Sequence, residues 1–294
     1  MHLIDEFNLQ LFDLEGDYMP SPTCCENATF VSTREKVFQF FDKLSVAACL
    51  NQSVCYAAMS YFDRYASRND IPIIEECEQK SIKVFAVACL TMAVKLEKND
   101  IFVYDLVHGE LLALVQKHLL STQALISKQL HWRIRFLNPM CFLGYLSSLL
   151  YGDQDEAAVR AKVEGFVCRF QKRAAVCEKA ESLVCYIQRD ITYMQYKPSI
   201  IGAAALVAVQ PVENYEQRLA ACRYIDADSL TQCLEKMKES YMVMVVNKLS
   251  TSYNFDGGQG DIRSITWMAL LELHNLLKLK ESSQSCILLL DLND

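Results

Sequence analysis

VFAVACLTMAV, residues 84–94, is apolar at every position except Thr91 and would be apolar on every face of a helix. A helix of this kind is stable only when other elements enclose it, so the stretch predicts the middle of a helical bundle. A buried strand is the competing interpretation, because short apolar runs are ambiguous. The length of the segment and its alanine, methionine and cysteine content favour a helix over about Glu78–Lys98.

Two amphipathic helices are predicted upstream of this segment. The first has an i, i+3, i+4, i+7, i+11 stripe made of Val37, Phe40, Phe41, Leu44 and Ala48. The second stripe runs from Val54 to Tyr65. Residues 1–29 are predicted to be an extended lead-in, because they end in a turn-rich patch around residues 18–22.

Two more helices are predicted downstream. Asp100 is expected to cap a fourth helix that reaches about His118. Ser121 or Thr122 is expected to cap a fifth helix that ends near Trp132. The Asn-Pro pair at 138–139 then marks a boundary. Five helices with the third one enclosed are therefore predicted for this half.

The second half repeats this organisation. Helices are predicted over Pro139–Tyr151, over 156–196 as one long helix or two, over Ser199–Val209, and from Asp226 or Asp228 through Val246. Residues 200–209 are again almost continuously apolar. The helix in the middle of the second series is therefore expected to be enclosed as well.

The predicted fold class is all-α, with two tandem five-helix folds and a central buried helix in each. The predicted units are a lead-in over 1–29, a first fold over 30–136, a second fold over 137–248 and a tail over 249–294. Within the tail, the glycine-rich residues 257–260 are predicted to be a flexible link. Ile265–Leu279 has the apolar pattern of an amphipathic helix.

Composition narrows the classes of function. The chain has 294 residues, a formal net charge of −7 and 13 cysteines without a C-x-x-C pair. The irregular cysteine spacing argues against a disulfide framework or a zinc site and predicts thiols in a reducing, intracellular compartment. The negative charge provides no general attraction for nucleic acid, so no direct nucleic-acid partner is expected. The longest apolar runs are too short to cross a bilayer, so no membrane partner is expected.

No catalytic constellation is present in the sequence. It contains no G-x-G-x-x-G, P-loop, H-E-x-x-H or G-x-S-x-G motif, and its five histidines lack metal-ligand spacing. The sequence therefore predicts a protein that is not an enzyme and that has no metal site and no cofactor.

Charged residues on apolar faces are the informative positions. Arg34 extends the buried stripe of the first helix, and Asp63 lies on a largely apolar face of the second. Because a buried charge is very costly unless it is paired, the simplest solution is an Arg34–Asp63 ion pair between the two helices. The alternative is that one or both side chains point into water. Lys95 closes the all-apolar helix, where the helix dipole alone would favour a cation.

Three strings in the first half resemble the signatures of the cyclin family: YFDRY at 61–65, AVKLE at 93–97 and LHWR at 130–133. In the second half, YKPSIIGAA at 196–204 is similar to a segment of the C-terminal cyclin fold. The resemblance covers about residues 30–248 and leans toward the D-type cyclins. The L-x-C-x-E motif of many D-type cyclins is absent from this sequence.

The resemblance implies a regulatory subunit that binds and activates a cyclin-dependent protein kinase and so controls cell-cycle progression. Kinase-binding roles are implied for six residues: Lys95, Leu96, Glu97, Gln123, Ser127 and Trp132. Arg34 and Asp63 match the structural ion pair of the family. Gln123 stands where the family has a glutamate, so it can accept a hydrogen bond from Lys95 without neutralising its charge.

A substrate-docking patch is implied at Val37, Phe40, Ile82 and Lys83. In cell-cycle cyclins the corresponding apolar groove receives R-x-L peptides. Thr33, Lys36 and Lys43 replace apolar or acidic groups here, and a cationic rim repels basic peptides. Weak or altered R-x-L docking is therefore expected, with kinase substrates or inhibitors as further partners.

Two other functions remain open. One is a cyclin-fold interaction scaffold without kinase activation, which the departures at Gln123 and Ser127 motivate. The other is a nucleic-acid-bound factor similar to general transcription factor IIB, against which the negative charge counts. Localisation in the nucleus and cytoplasm is expected, although no strong basic import cluster is present.

Overall fold

The computed structural model describes residues 9–96, 103–135, 137–152, 163–220 and 222–255. The regular secondary structure in these ranges is helical, which confirms the all-α prediction. The helices of the first half are α1 (Ala28–Ala48), α2 (Gln52–Ala66), α3 (Glu78–Leu96) and α4 (Gly109–Gln129). Those of the second half are α5 (Met140–Tyr151), α6 (Val163–Ile187), α7 (Pro198–Val209), α8 (Tyr215–Leu219) and α9 (Ala227–Phe255).

Helix α3 is the centre of the first core, as its sequence predicts. Every residue over 84–94 is buried, and α1, α2 and α4 supply the apolar side chains that surround it. The hydroxyl of Thr91, the one polar group in the run, donates to the Val87 carbonyl at 2.7 Å. This bond satisfies the hydroxyl inside the helix, so the polar residue needs no partner in the core.

The predicted break between a fourth and a fifth helix is wrong, because α4 continues without interruption from Gly109 to Gln129. The hydroxyls of Ser121 and Thr122 both donate to the His118 carbonyl, each at 2.9 Å. A hydroxyl that bonds back to the preceding turn stays inside a helix and does not begin a new one. Asp100, the predicted cap of the fourth helix, lies outside the described residues.

Helix α7 is the centre of the second core, and residues 198–208 are all buried. Pro198 occupies its first turn, where a missing N–H costs nothing. The helix approaches the start of α5 so closely that a Cβ on Gly202 would lie 2.9 Å from the Pro139 carbonyl oxygen. Only glycine fits there without a shift of the backbone, and this fixes the distance between the two helices.

The last helix begins as predicted, with the Ser229 N–H donating to the Asp226 carboxylate at 2.8 Å. It ends at Phe255, seven residues beyond the predicted boundary at 248. The Ile265–Leu279 segment and the glycine-rich link lie outside the described residues. No helix among those described is long and apolar enough to span a membrane.

The predicted extended lead-in is wrong for residues 9–26. Residues 9–14 are α-helical, and 3₁₀ turns follow at Glu15–Tyr18 and Cys24–Glu26. Phe12 is buried in the second core, where its ring stacks on Tyr224 with centroids 5.0 Å apart. The lead-in adopts this structure because burial of Phe12 requires a compact segment that the polar turn residues alone do not indicate.

Candidate functional site

Lys95 lies in the last turn of α3, where the buried helix emerges at the surface. Its Nζ is 3.5 Å from Oε1 of Gln123 on α4, so the side chain has a neutral amide oxygen as its acceptor. Leu96 follows it and is 41% exposed. The next predicted contact residue, Glu97, lies outside the described residues. The end of α3 therefore presents a cation beside an exposed apolar side chain.

Gln123 and Ser127 are one turn apart on α4. Nε2 of Gln123 is buried and has no hydrogen-bond partner among the described residues. Leaving a buried donor unsatisfied costs about 1–3 kcal/mol. Ser127 is 6% exposed, so its side chain supports the surface from beneath and offers little contact area.

Trp132 lies in the turn that ends α4 and is 71% exposed. The turn is a Schellman motif: the Trp132 N–H donates to the Ser127 carbonyl at 2.8 Å, and the His131 N–H donates to that of Lys128 at 3.0 Å. His131 and Trp132 have φ of 52° and 60°, a left-handed conformation that costs L-residues about 1–2 kcal/mol each. The chain thus holds a strained turn that directs an indole into solvent.

Arg64 and Tyr61 of α2 hold the two residues that follow this turn. The Arg64 guanidinium donates to the Arg133 carbonyl at 3.1 Å, and the Tyr61 hydroxyl donates to that of Ile134 at 2.5 Å. Arg64 is 3% exposed, and burial lowers its pKa to about 10, so the group remains protonated at neutral pH. The sequence contains both residues in its YFDRY string but does not indicate these bonds.

Two residues of the lead-in contact the arginines on either side of this bond, Arg64 and Arg133. The Tyr18 ring lies 4.7 Å from the Arg64 guanidinium carbon, and the Asp17 carboxylate pairs with Arg133 at 2.6 Å. Sequence reasoning missed both residues, because neither lies in a periodic pattern nor near the strings that they contact. Arg64 and the lead-in together hold the turn that carries Trp132.

The Arg34–Asp63 pair expected from the sequence is present, with Nε to Oδ1 at 3.0 Å and both side chains buried. Burial raises the pKa of the Asp63 carboxyl, and the Arg34 guanidinium opposes that rise. Arg34 also donates to the carbonyls of Gln188, at 2.7 Å, and Arg189, at 3.2 Å. The guanidinium therefore joins α1 to α2 and also joins the first fold to the second.

The four residues of the implied docking patch do not share one environment. Val37 is 1% exposed and Ile82 is 6% exposed, and both belong to the first core. Phe40 is half-buried and Lys83 is exposed. Val37 and Ile82 are inaccessible to a peptide in this conformation, because α1 and α3 bury their apolar faces against each other.

The chain is similar to known proteins in sequence. Residues 9–135 match the family model "Cyclin, N-terminal domain". Cyclin-D6-1 of Oryza sativa subsp. japonica is 25% identical over 79% of this chain and 70% of its own length. Cyclin-D2-2 of the same organism is 22% identical over 84% of this chain and 67% of its own length.

A solved structure shares the fold. The viral cyclin from herpesvirus saimiri superposes with a TM-score of 0.52 at 16% sequence identity. The match covers 72% of this chain and 85% of the viral protein. It extends well beyond the first half, in agreement with two tandem helical folds.

Proposed function

We propose that this chain is a divergent, D-type-like member of the cyclin family, which binds and activates a cyclin-dependent serine/threonine protein kinase and controls cell-cycle progression. Cyclins are regulatory proteins that leave catalysis to the kinase. A partner that binds the active kinase conformation more tightly than the inactive one shifts the population toward the active form. Its action requires a stable docking surface and no catalytic residue of its own.

The observation that carries this proposal is the Lys95–Gln123 contact, which joins the end of α3 to the helix that carries the Trp132 turn. The Lys95 ammonium contacts Gln123, which lies one turn from Ser127, whose carbonyl accepts the N–H of Trp132. The arrangement combines a cation with exposed leucine and indole side chains. Such a combination suits an apolar partner helix with carbonyl acceptors at one end, since aromatic anchors dominate interface energies.

Co-purification tests the proposal. The tagged wild-type chain should recover a cyclin-dependent kinase with activity toward a peptide substrate, and Lys95→Glu should lose both. Lys179→Glu makes the same charge change at an exposed position of α6 in the second fold, outside this surface, and should retain both. Equal recovery by the two variants would contradict the assignment of Lys95.

A second candidate function is an interaction scaffold that binds its partner without activating a kinase. The neutral Gln123 favours this function, because among the described residues Lys95 has an amide oxygen and not a carboxylate as its acceptor, and the Gln123 Nε2 has no partner there. Recovery of a kinase without activity would support the scaffold.

We also propose that the protein acts in the nucleus and cytoplasm, which a fluorescent fusion tests.

A further inference from the structure

The acidic and lysine side chains of α1 are divided between two lines on its exposed side. At roughly 100° per residue, Lys36 and Lys43 lie about 20° apart around the helix. Glu35 and Asp42 lie about 80–120° away from the two lysines. All four side chains are exposed. The lysines therefore form a cationic line that is separate from the acidic residues of the same helix.

The spacing of α1 leaves both lysines without an ion pair. Pairs on a helix surface join residues three or four positions apart, and the residues at those positions from Lys36 and Lys43 are all uncharged. Glu35 instead accepts a hydrogen bond from Nε2 of Gln39 at 2.8 Å. Within the ranges that the structure describes, neither ammonium group pairs with a carboxylate. Two full positive charges are therefore open to an external ligand.

Phe40 adds an apolar group between the two lysines. It lies about 40° around the helix from Lys36 and about 60° from Lys43. Its ring is half-buried against the first core, with its centroid 6.4 Å from that of the buried Phe41. A side chain that is already held in place loses little conformational entropy when a ligand covers it. Phe40 is therefore a suitable apolar contact beside the two ammonium groups.

The neighbouring helix supplies a third cation. Helix α3 packs against α1, and its Lys83 is exposed and has no carboxylate partner among the described residues. Lys83 is about 18 Å along α3 from Lys95, so these cations are distinct from the proposed kinase surface. The whole chain has a net charge of −7, so it attracts an anionic ligand only where cations are concentrated locally.

The spacing of these side chains specifies the ligand. Lys36 and Lys43 are roughly 10 Å apart along the helix axis, with Phe40 between them. In an extended peptide, residues i, i+2 and i+4 point to one side and span roughly 13 Å. Because lysine side chains are long and flexible, acidic residues at i and i+4 can reach both ammonium groups. An apolar residue at i+2 then lies opposite Phe40.

We propose that Lys36, Phe40 and Lys43 form a docking surface for an acidic peptide segment of a partner protein, in which an apolar residue lies between two acidic ones. The carboxylates pair with the ammonium groups, and the apolar side chain packs on Phe40. Nucleic acid is the other anionic class, but its affinity depends on many phosphate contacts, whereas a few cations beside an aromatic ring match a short acidic peptide. Docking here requires no kinase, so it is independent of the proposed function.

Zero-length cross-linking locates the site on the full-length chain. A water-soluble carbodiimide joins a carboxylate to an amine only when the two groups are in contact. The N-acetylated peptide EDELEDE should couple mainly to Lys36 and Lys43, identified by peptide mass spectrometry, and several-fold less to the exposed Lys128 and Lys179. EDEGEDE, which lacks the apolar residue, should couple several-fold less at the same two positions. Equal coupling at all four lysines would overturn the proposal.

Charge reversal provides the second measurement. Lys36→Glu with Lys43→Glu should weaken the binding of fluorescein-labelled EDELEDE about tenfold and reduce its dependence on salt. Lys128→Glu with Lys179→Glu makes the same change in net charge elsewhere and should alter the affinity less than about twofold. Equal losses by the two double variants would contradict the assignment. Tighter binding of the basic peptide KKKLKKK, or of a single-stranded DNA oligonucleotide, than of EDELEDE would contradict it as well.

Discussion

The Lys95 ammonium faces the Gln123 amide at 3.5 Å, so among the described residues the central cation of the proposed kinase surface has a neutral acceptor and no carboxylate partner. The amide nitrogen on the other side of the same group is buried and unpaired. The site therefore holds its lysine less firmly than a carboxylate would.

Replacement of Gln123 by glutamate should strengthen kinase binding. The carboxylate would pair with Lys95 and remove the orphan N–H, and an exposed ion pair contributes about 0.2–1 kcal/mol. The dissociation constant for the co-purifying kinase should fall by up to roughly fivefold, measured by calorimetry. Gln116→Glu, two turns earlier on the exposed side of α4, should have no effect. Tighter binding by both variants would indicate a general charge effect.

Loss of Arg34 should destabilise the protein more than loss of its carboxylate partner. Breaking a buried pair costs about 3–5 kcal/mol, and Arg34→Met would also leave the carbonyls of Gln188 and Arg189 without this donor. Asp63→Asn retains an acceptor for the guanidinium. Urea unfolding should therefore rank wild type above Asp63→Asn and Asp63→Asn above Arg34→Met. The reverse order would show that the bonds between the folds contribute little.

The left-handed turn at His131 and Trp132 should lower the stability of the fold while it presents the indole for binding. His131→Gly relieves a left-handed residue and should raise the free energy of unfolding by about 1 kcal/mol. Trp132→Gly should also stabilise the fold but should weaken kinase binding by about 2 kcal/mol, roughly thirtyfold, because it removes the exposed indole that we expect to anchor the partner. Gln116→Gly, inside α4, should instead destabilise by about 1 kcal/mol. Unfolding curves and binding titrations on the same variants separate these effects.

Glu15 should make stability depend on pH. Burial raises its pKa above the ordinary value of 4.5, while Ser199 and Lys197 oppose the rise. The folded protein then binds more protons than the unfolded chain from about pH 4.5 up to the raised pKa, so stability falls as pH rises through that window. Glu15→Gln should reduce this slope in urea unfolding between pH 4 and 7, and the Asp63 carboxyl, whose pKa is also raised by burial, should account for part of what remains. Glu239→Gln, exposed on α9, should keep it, and parallel profiles for wild type and Glu15→Gln would contradict the assignment.

The buried helices and the Arg34–Asp63 pair were predictable because each depends on a local rule. An all-apolar helix must be enclosed, and a charge on a buried stripe must find a partner. The bonds from Arg34 to Gln188 and Arg189 were not predictable, because they join residues more than 150 positions apart. No periodic pattern encodes such a contact.

The errors at Ser121, Thr122 and the lead-in have a common physical cause. A serine or threonine hydroxyl bonds equally well to the N–H groups that open a helix and to a carbonyl of the preceding turn, so sequence alone cannot decide between them. The sequence of the lead-in is polar and rich in turn residues, so it indicates no packed structure. The segment packs on the second fold because one side chain, Phe12, is buried there. The Trp132 turn escaped prediction for a related reason, because its left-handed residues are not glycine.

The Glu15 carboxylate of the lead-in accepts hydrogen bonds from the Ser199 N–H and from the Ser199 hydroxyl at the start of α7, each at 3.0 Å. This contact bridges 184 positions of the chain, which determines when it can form. At a synthesis rate of about 5–20 residues per second, the lead-in emerges from the ribosome roughly 10–40 seconds before Ser199, which donates to the Glu15 carboxylate. Phe12 and the Glu15 carboxylate have no native site during that interval, although helices α1–α4 are complete well before it ends. The first segment to be made is therefore among the last to reach its final place, and the nascent chain is open to chaperones until the second core has closed.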